Sequence, residues 1–216
     1  MILGVLPPSI VEAEKPLDLF NYLSVLTSIV LGLGVTGYFA HFAKLLGNRD
    51  HVKWSGLYGA WISLFFPLYV LYWWTFWDYR NQLEWKYFDF LFLIIGPGCL
   101  VLVTELFFPE IERPRQHLDL EKHYFSVQRP LFTMWSILQI WGIFCRPLLR
   151  DGLKWSSFLN GYKFSQCILL CFLAGGIFVK KRWFHFLIIS VFWAVILYII
   201  IAIRLKIGGS HLPQEH

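Results

Sequence analysis

The hydrophobic residues of this chain form long uncharged runs instead of the short alternating patterns of soluble domains. No Asp, Glu, Lys or Arg occurs between Asp18 and Lys44, or between Lys53 and Asp78. A third uncharged run extends from Trp183 to Ile203. Each run covers the roughly 20 residues that an α-helix needs to cross the hydrocarbon of a bilayer. The pattern therefore predicts three membrane-spanning helices.

Three further apolar stretches are shorter or carry one charge, Glu105: they cover residues 90–108, 130–145 and 164–179. Each can cross if flanking basic side chains extend to the interface, and leaving one out would strand an apolar segment in water. We therefore predict an all-α, polytopic transmembrane helix bundle of about six spans, forming a single membrane domain over residues 1–216. The predicted spans are 19–44, 54–77, 88–108, 129–147, 161–179 and 183–204.

The longest polar connection covers residues 110–128. Apolar residues recur every three to four positions after Asp119, so we predict that this aspartate caps a short helix lying along the membrane surface. Four side chains of the same loop are of metal-ligand type, but their spacing fits no standard ligand pattern, and we predict no metal site. These side chains are Glu110, Glu112, His117 and His123.

The composition supports a lipid environment. Hydrophobic residues make up 57% and charged residues 15% of the chain, against roughly 45–50% and about 25% in soluble domains. The net charge of +5 could indicate nucleic acid, but the basic residues are scattered at the ends of apolar runs instead of sharing one face. The expected partner is therefore the lipid bilayer, not nucleic acid.

The distribution of basic residues favours an N-terminus outside the cell. This orientation makes three basic loops cytoplasmic, as the positive-inside rule requires. These loops carry Arg49 and Lys53, then Arg113, Arg115 and Lys122, and finally Lys180, Lys181 and Arg182. Three other basic residues, Arg150, Lys154 and Lys163, favour the opposite orientation.

Small residues recur every four positions along the first predicted span. This ridge consists of Ser24, Ser28, Gly32, Thr36 and Ala40. Small side chains allow another helix to approach closely, which is typical of helix packing in membranes. The partner helix could belong to the same chain, to a second copy in a homo-oligomer, or to another membrane subunit.

The third predicted span contains Gly96, Pro97 and Gly98 near its middle. Proline removes one backbone hydrogen bond and clashes with the preceding turn, so we predict a helix break at these residues. Two interpretations stay open. The break could be a packing bend, or a partly unwound segment whose free carbonyls face a cavity, as in transporters.

The predicted topology places His41, Glu105 and His185 at similar depth in one leaflet, because the first and third spans end where the sixth begins. Ionisable groups within a membrane are costly and usually functional, so these residues form the candidate intramembrane polar cluster. They could relay protons or bind a small cation. The two histidines could instead ligate haem or a metal, or all three side chains could lie at the interface among headgroups and water.

Several features together resemble a loose group of uncharacterised bacterial multi-spanning inner-membrane proteins. The resemblance covers roughly the first 150 residues. Its features are the glycine-containing run Ile29–Lys44, the group Trp73, Trp74 and Trp77, the break at Pro97, the exit Leu106–Pro109, and Asp119-Leu120 followed by His123-Tyr124. It implies a multi-pass location in the bacterial inner membrane and implies no activity or site residue.

No sequence motif identifies an activity. The chain lacks a P-loop, a nucleophile elbow and an HExxH motif, which disfavours an enzyme, although membrane enzymes can distribute their residues among helices. We expect permeation or transport of an ion or small solute. The alternatives are a membrane scaffold or partner subunit assembled through the small-residue ridge, and a haem- or metal-binding redox protein, although the sequence predicts no cofactor directly.

Overall fold

The computed structural model describes residues 8–80, 85–111, 117–146, 148–149 and 161–202. These residues form an all-α bundle, as the sequence predicts. Its long helices are α1 (Pro8–Gly47), α2 (Gly56–Phe76), α3 (Tyr87–Phe107), α4 (Leu120–Arg146), α5 (Gly161–Phe178) and α6 (Arg182–Ala202).

Parts of three predicted segments lie outside the described residues: 112–116 of the polar loop, 147 of the fourth span and 203–204 of the sixth. The three basic residues that favour the opposite orientation include two in the undescribed stretch, Arg150 and Lys154.

Several helices are apolar enough for an integral membrane protein. By length and composition, four candidate spans occur among the described residues: Phe20–Gly47, Gly56–Phe76, Tyr87–Phe107 and Arg182–Ile201. The apolar part of α5, Phe164–Phe178, is shorter. Helix α4 is 27 residues long but carries charged side chains in its first half. Whether α4 and α5 also cross the membrane therefore stays a prediction.

The core is built on aromatic side chains of α2. Tyr58, Trp61 and Phe65 are completely buried, and the Tyr58 ring stacks on Phe107 of α3 with 4.3 Å between centroids. The Tyr58 hydroxyl donates to the Phe107 carbonyl at 3.0 Å. Tyrosine therefore fills the space between the two helices while its polar end finds a partner, as buried phenols require.

Helix α3 runs without interruption through the predicted break. Pro97 has no N–H to donate to the carbonyl of Leu93, and the Tyr72 hydroxyl donates to that carbonyl instead, at 3.1 Å. A Cβ on Gly96 would lie 2.4 Å from the Trp141 ring and 2.7 Å from the Tyr72 hydroxyl. Gly96 and Pro97 therefore serve close helix packing. Of the two interpretations left open, a partly unwound segment is not observed, because a neighbouring side chain replaces the missing donor.

The small-residue ridge of α1 faces away from the bundle. Ser28, Gly32, Thr36 and Ala40 are exposed, Ser24 is half-buried, and a Cβ on Gly32 would meet nothing within 4 Å. The packed face of α1 is a different one, formed by Leu23, Thr27, Leu31, Gly34 and Tyr38. The sequence left three partners open for this ridge. The first of them, another helix of the same chain, is not observed against the ridge among the described residues.

Two connections on one face of the bundle are joined by a short parallel strand pair. Strand β1 (Val52–Lys53) lies between α1 and α2, and β2 (Leu118–Asp119) precedes α4. We call this feature the interloop strand pair. Lys53 Nζ donates to Asp119 Oδ2 at 2.9 Å. The contact raises the pKa of Lys53, and together with the backbone N–H of Lys122 it lowers the pKa of Asp119.

Asp119 caps α4, as predicted, because its Oδ1 accepts the backbone N–H groups of Glu121 and Lys122 at 3.1 and 3.0 Å. The helix that it caps is not a short separate one. Residues 120–128 continue through Pro130 into the predicted fourth span, and α4 ends only at Arg146. The reason is burial on both sides of the proline, since Leu120 and Leu131 are each fully buried in the same core.

Candidate functional site

The structure brings together two of the three predicted cluster residues. His41 Nε2 and Glu105 Oε2 lie 2.9 Å apart, within hydrogen-bond distance. The side chains are 23% and 49% exposed. His41 lies near the end of α1 and Glu105 near the end of α3, which places the pair close to one surface of the bundle.

Both residues are held in position by their neighbours. The His41 imidazole stacks on the Phe108 ring, with 5.3 Å between centroids and 13° between planes. A Cβ on Gly37, one turn before His41, would lie 3.0 Å from Glu105 Oε1. The absence of a side chain at Gly37 therefore lets the carboxylate approach α1, a role that the sequence did not reveal.

The pair forms part of the wall of a polar recess of about 320 Å³. Its lining consists of His41, Lys44, Glu105, Glu110 and Ile111. The sequence did not single out Glu110 and Ile111 as lining residues. Their position directly after the exit of α3 was the available signal.

A second set of polar groups lies deeper between α1, α2 and α3. The Tyr69 hydroxyl is 2.9 Å from Thr104 Oγ1, and Thr104 Oγ1 donates to the Leu100 carbonyl at 2.9 Å. A Cβ on Gly34 would lie 2.5 Å from the Tyr69 hydroxyl. Because Gly34 and Gly37 have no side chains, the Tyr69 phenol and the Glu105 carboxylate can approach successive turns of α1.

His185, the third predicted cluster residue, lies elsewhere. It is fully buried, and its Nε2–H donates to the Val179 carbonyl at 2.8 Å. Because that nitrogen carries the proton, Nδ1 of the neutral ring accepts the Tyr124 hydroxyl, also at 2.8 Å. Both ring nitrogens are thus engaged by α4 and by the connection before α6.

The other ligand-type side chains also have separate surroundings. His123 Nε2 donates to the Phe107 carbonyl at 3.1 Å, while His117 lies against His51. Among the described residues, no group of three or more His, Cys, Asp and Glu side chains has the arrangement of a metal site. Glu112, considered with them in the sequence, lies outside the described residues.

Comparison with protein-family models, curated proteins and solved structures finds no match. The class of this protein therefore rests on its own fold. It is an all-α helical bundle with several apolar helices compatible with an integral membrane protein.

Proposed function

We propose that this chain is a multi-pass membrane protein that passes protons or small cations, with His41 and Glu105 at the mouth of the path. The observation that carries the proposal is the 2.9 Å contact between imidazole and carboxylate on the wall of the recess. Ionisable groups on membrane helices are costly to retain and are typical of ion pathways.

The recess suits a small hard cation or a proton. Glu105 and Glu110 supply carboxylate oxygens, which are the ligands that hard cations prefer. His41 places an imidazole, a side chain that proteins commonly use as a proton shuttle, beside Glu105. Lys44 also lines the recess and limits its net negative charge.

Polar groups continue from the recess into the bundle. Glu105 Oε1 lies against Gly37, and the Tyr69 hydroxyl lies against Gly34, about 4.5 Å further along the axis of α1. Thr104 is hydrogen-bonded to that hydroxyl. This succession of hydroxyl and carboxyl oxygens supports a path that leads inward from the recess.

The test is cation or proton flux into proteoliposomes that contain the purified full chain. We expect Glu105→Gln and His41→Gln each to lower the flux by about tenfold or more, since each removes one member of the pair. Asp50→Asn is the matched control, because Asp50 is an exposed carboxylate in the α1–α2 connection. Flux that is unchanged in both pair variants would remove the proposed path.

A second proposal is a membrane scaffold or partner subunit assembled through the ridge of α1. It is favoured by the exposure of Gly32 and by the open space around its Cβ position. The expected partner is a second copy of the chain or another membrane subunit. Small residues on a lipid-facing helix allow close helix approach of this kind.

The scaffold proposal is tested by association of the chain in bilayers, measured by energy transfer between labelled copies and by copurification of membrane partners. Gly32→Leu should abolish association without unfolding the monomer, because the added side chain meets no atom of the chain within 4 Å of its Cβ. Leu33→Phe enlarges an exposed residue off the ridge and should leave association intact. Equal association of both variants would exclude the ridge.

The redox proposal is the third and has the least support. A haem held by His41 and His185 would require His185 to give up its bonds to Val179 and Tyr124. The test is a Soret absorbance band in protein purified from cells supplied with haem. A preparation without that band would exclude haem binding.

We further propose a bacterial inner-membrane location with the N-terminus outside. Basic side chains at Lys44, Arg49, Lys53 and Lys180–Arg182 support a cytoplasmic position for the surface that carries the recess. In a chain without native cysteines, Asp50→Cys should resist an impermeant thiol reagent in intact cells. Tyr87→Cys, at the start of α3, should react, and the reverse pattern would invert the orientation.

A further inference from the structure

Each strand of the interloop strand pair is preceded by a histidine. His51 comes directly before Val52, and His117 comes directly before Leu118. Val52 pairs with Leu118 in parallel register, so the two histidines occupy the preceding position of the same ladder. Their ring centroids lie 5.0 Å apart with the planes at 89°.

The ring nitrogens of the two histidines are available for a ligand. His117 is exposed and His51 is half-buried. Within the part of the chain that the structure describes, neither imidazole takes part in a hydrogen bond or an ion pair. This differs from His41, His123 and His185, each of which has a polar partner.

We propose that His51 and His117 form a two-histidine site for a borderline transition-metal dication, with Zn²⁺ the expected ion. Imidazole nitrogen is a favoured ligand for Zn²⁺, Ni²⁺ and Cu²⁺, whereas Mg²⁺ and Ca²⁺ prefer oxygen. Two nitrogens bound tetrahedrally to one Zn²⁺ lie about 3.3 Å apart. Neighbouring strands are about 4.8 Å apart, so side-chain rotation brings both rings to one ion.

Two cationic side chains next to the histidines in the described part of the chain are each paired with a carboxylate, Arg49 with Asp50 at 3.8 Å and Lys53 with Asp119 at 2.9 Å. Among the described residues, no third metal-ligand side chain joins the two histidines, so the proposed two-histidine site leaves its other positions open to water. The ion is therefore exchangeable, unlike the ion in a closed structural zinc site.

A bound ion would link the α1–α2 connection to the residues that precede α4. Its ligands His51 and His117 belong to connections that are otherwise joined only through β1, β2 and nearby side-chain contacts in the described structure. An ion that binds the folded form stabilises it by mass action. The site does not depend on the proposed ion path, because none of the recess residues is a ligand.

The test is Zn²⁺ binding by the full chain in nanodiscs, after purification without a polyhistidine tag and removal of metal by a chelator. Titration calorimetry should give one bound Zn²⁺ per chain. His51→Asn and His117→Asn should each weaken Zn²⁺ binding by about tenfold or more. In either variant a single histidine holds the ion, and the gain from a second ligand on the same chain is lost. His211→Asn removes a histidine outside the pair and should bind as the unaltered chain does.

Thermal unfolding supplies a second measurement. Zn²⁺ should raise the Tm of the unaltered chain and of His211→Asn, but not of either pair variant. His117→Cys keeps a zinc ligand and should recover both binding and the Tm rise. If the pair variants remain folded and bind Zn²⁺ with unaltered affinity, or if Mg²⁺ binds more tightly than Zn²⁺, the proposal is overturned.

Discussion

At the scale of single residues, glycines decide how closely the helices approach. Gly34 leaves room for the Tyr69 hydroxyl, Gly37 for the Glu105 carboxylate and Gly96 for the Trp141 ring. Gly98 and Gly32, in contrast, have nothing within 4 Å of a Cβ position. Neighbouring glycines in one helix therefore have different roles, and sequence alone does not distinguish them because it gives no distance to other helices.

This difference predicts opposite outcomes for two substitutions in α3. Gly96→Ala should lower the free energy of unfolding by about 1–3 kcal/mol, the usual cost of overpacking, since its Cβ would lie 2.4 Å from the Trp141 ring. Gly98→Ala is the matched control and should be neutral or slightly stabilising, because alanine is the better helix former. Reversible unfolding in mixed micelles measures both, and equal effects would contradict the assignment.

At the scale of secondary-structure elements, helix ends are completed by side chains of other helices. Gln128 of α4 donates from Nε2 to the carbonyls of Gly176 and Val179, at 2.6 and 3.0 Å. His185 of α6 donates to the same Val179 carbonyl. The last carbonyls of a helix have no internal donor, so α4 and α6 jointly complete the end of α5.

We therefore expect Gln128→Leu to destabilise the α4–α5 contact. Gln128 is 1% exposed, and loss of its amide removes the side-chain donor from the buried Gly176 carbonyl, at a cost of about 1–3 kcal/mol, while the Val179 carbonyl keeps its bond from His185. The change should also increase hydrogen exchange of amides near the end of α5. Ser126→Ala, an exposed position on α4, should change neither quantity, and similar effects of the two variants would count against the role of Gln128.

Hydrophobic runs predicted the helices well where the apolar sequence is long and uncharged, as in α1, α2 and α6. They separated the helix after Asp119 from the fourth span, because charged residues within 120–128 interrupt the hydrophobic run, whereas one helix from Leu120 to Arg146 buries Leu120 and Tyr124 in the core. They also left open a partly unwound segment in α3, because the missing backbone donor at Pro97 is visible in the sequence whereas its replacement by Tyr72 is not.

At the scale of the whole molecule, the structure brings the ends of α1 and α3 together, which the predicted topology placed at similar depth, and His41 contacts Glu105. The same reasoning could not locate His185 within the plane of the membrane. Equal depth does not imply contact, since the lateral order of helices depends on packing. His185 packs among Tyr124, Phe125 and Phe132 of α4 instead.

Cross-linking tests this arrangement directly. In a chain without native cysteines, His41→Cys combined with Glu105→Cys should react with a short bifunctional thiol reagent to give an internal cross-link. His41→Cys combined with Lys180→Cys places the second thiol on the same surface beside α6 and should remain uncross-linked. Protease cleavage between α1 and α3, followed by electrophoresis, distinguishes the products, and efficient linkage of the second pair would require a different helix order.

The interloop strand pair also constrains the order in which the protein assembles. Lys53 and Asp119 are separated by 66 positions in the chain, so β1 stays without its partner until α3 has been synthesised and the chain has reached Asp119. Closing so long a loop costs entropy before any contact compensates for it. Helices α1 to α3 are therefore synthesised with this connection still open, and its closure joins the segment between α1 and α2 to the start of α4.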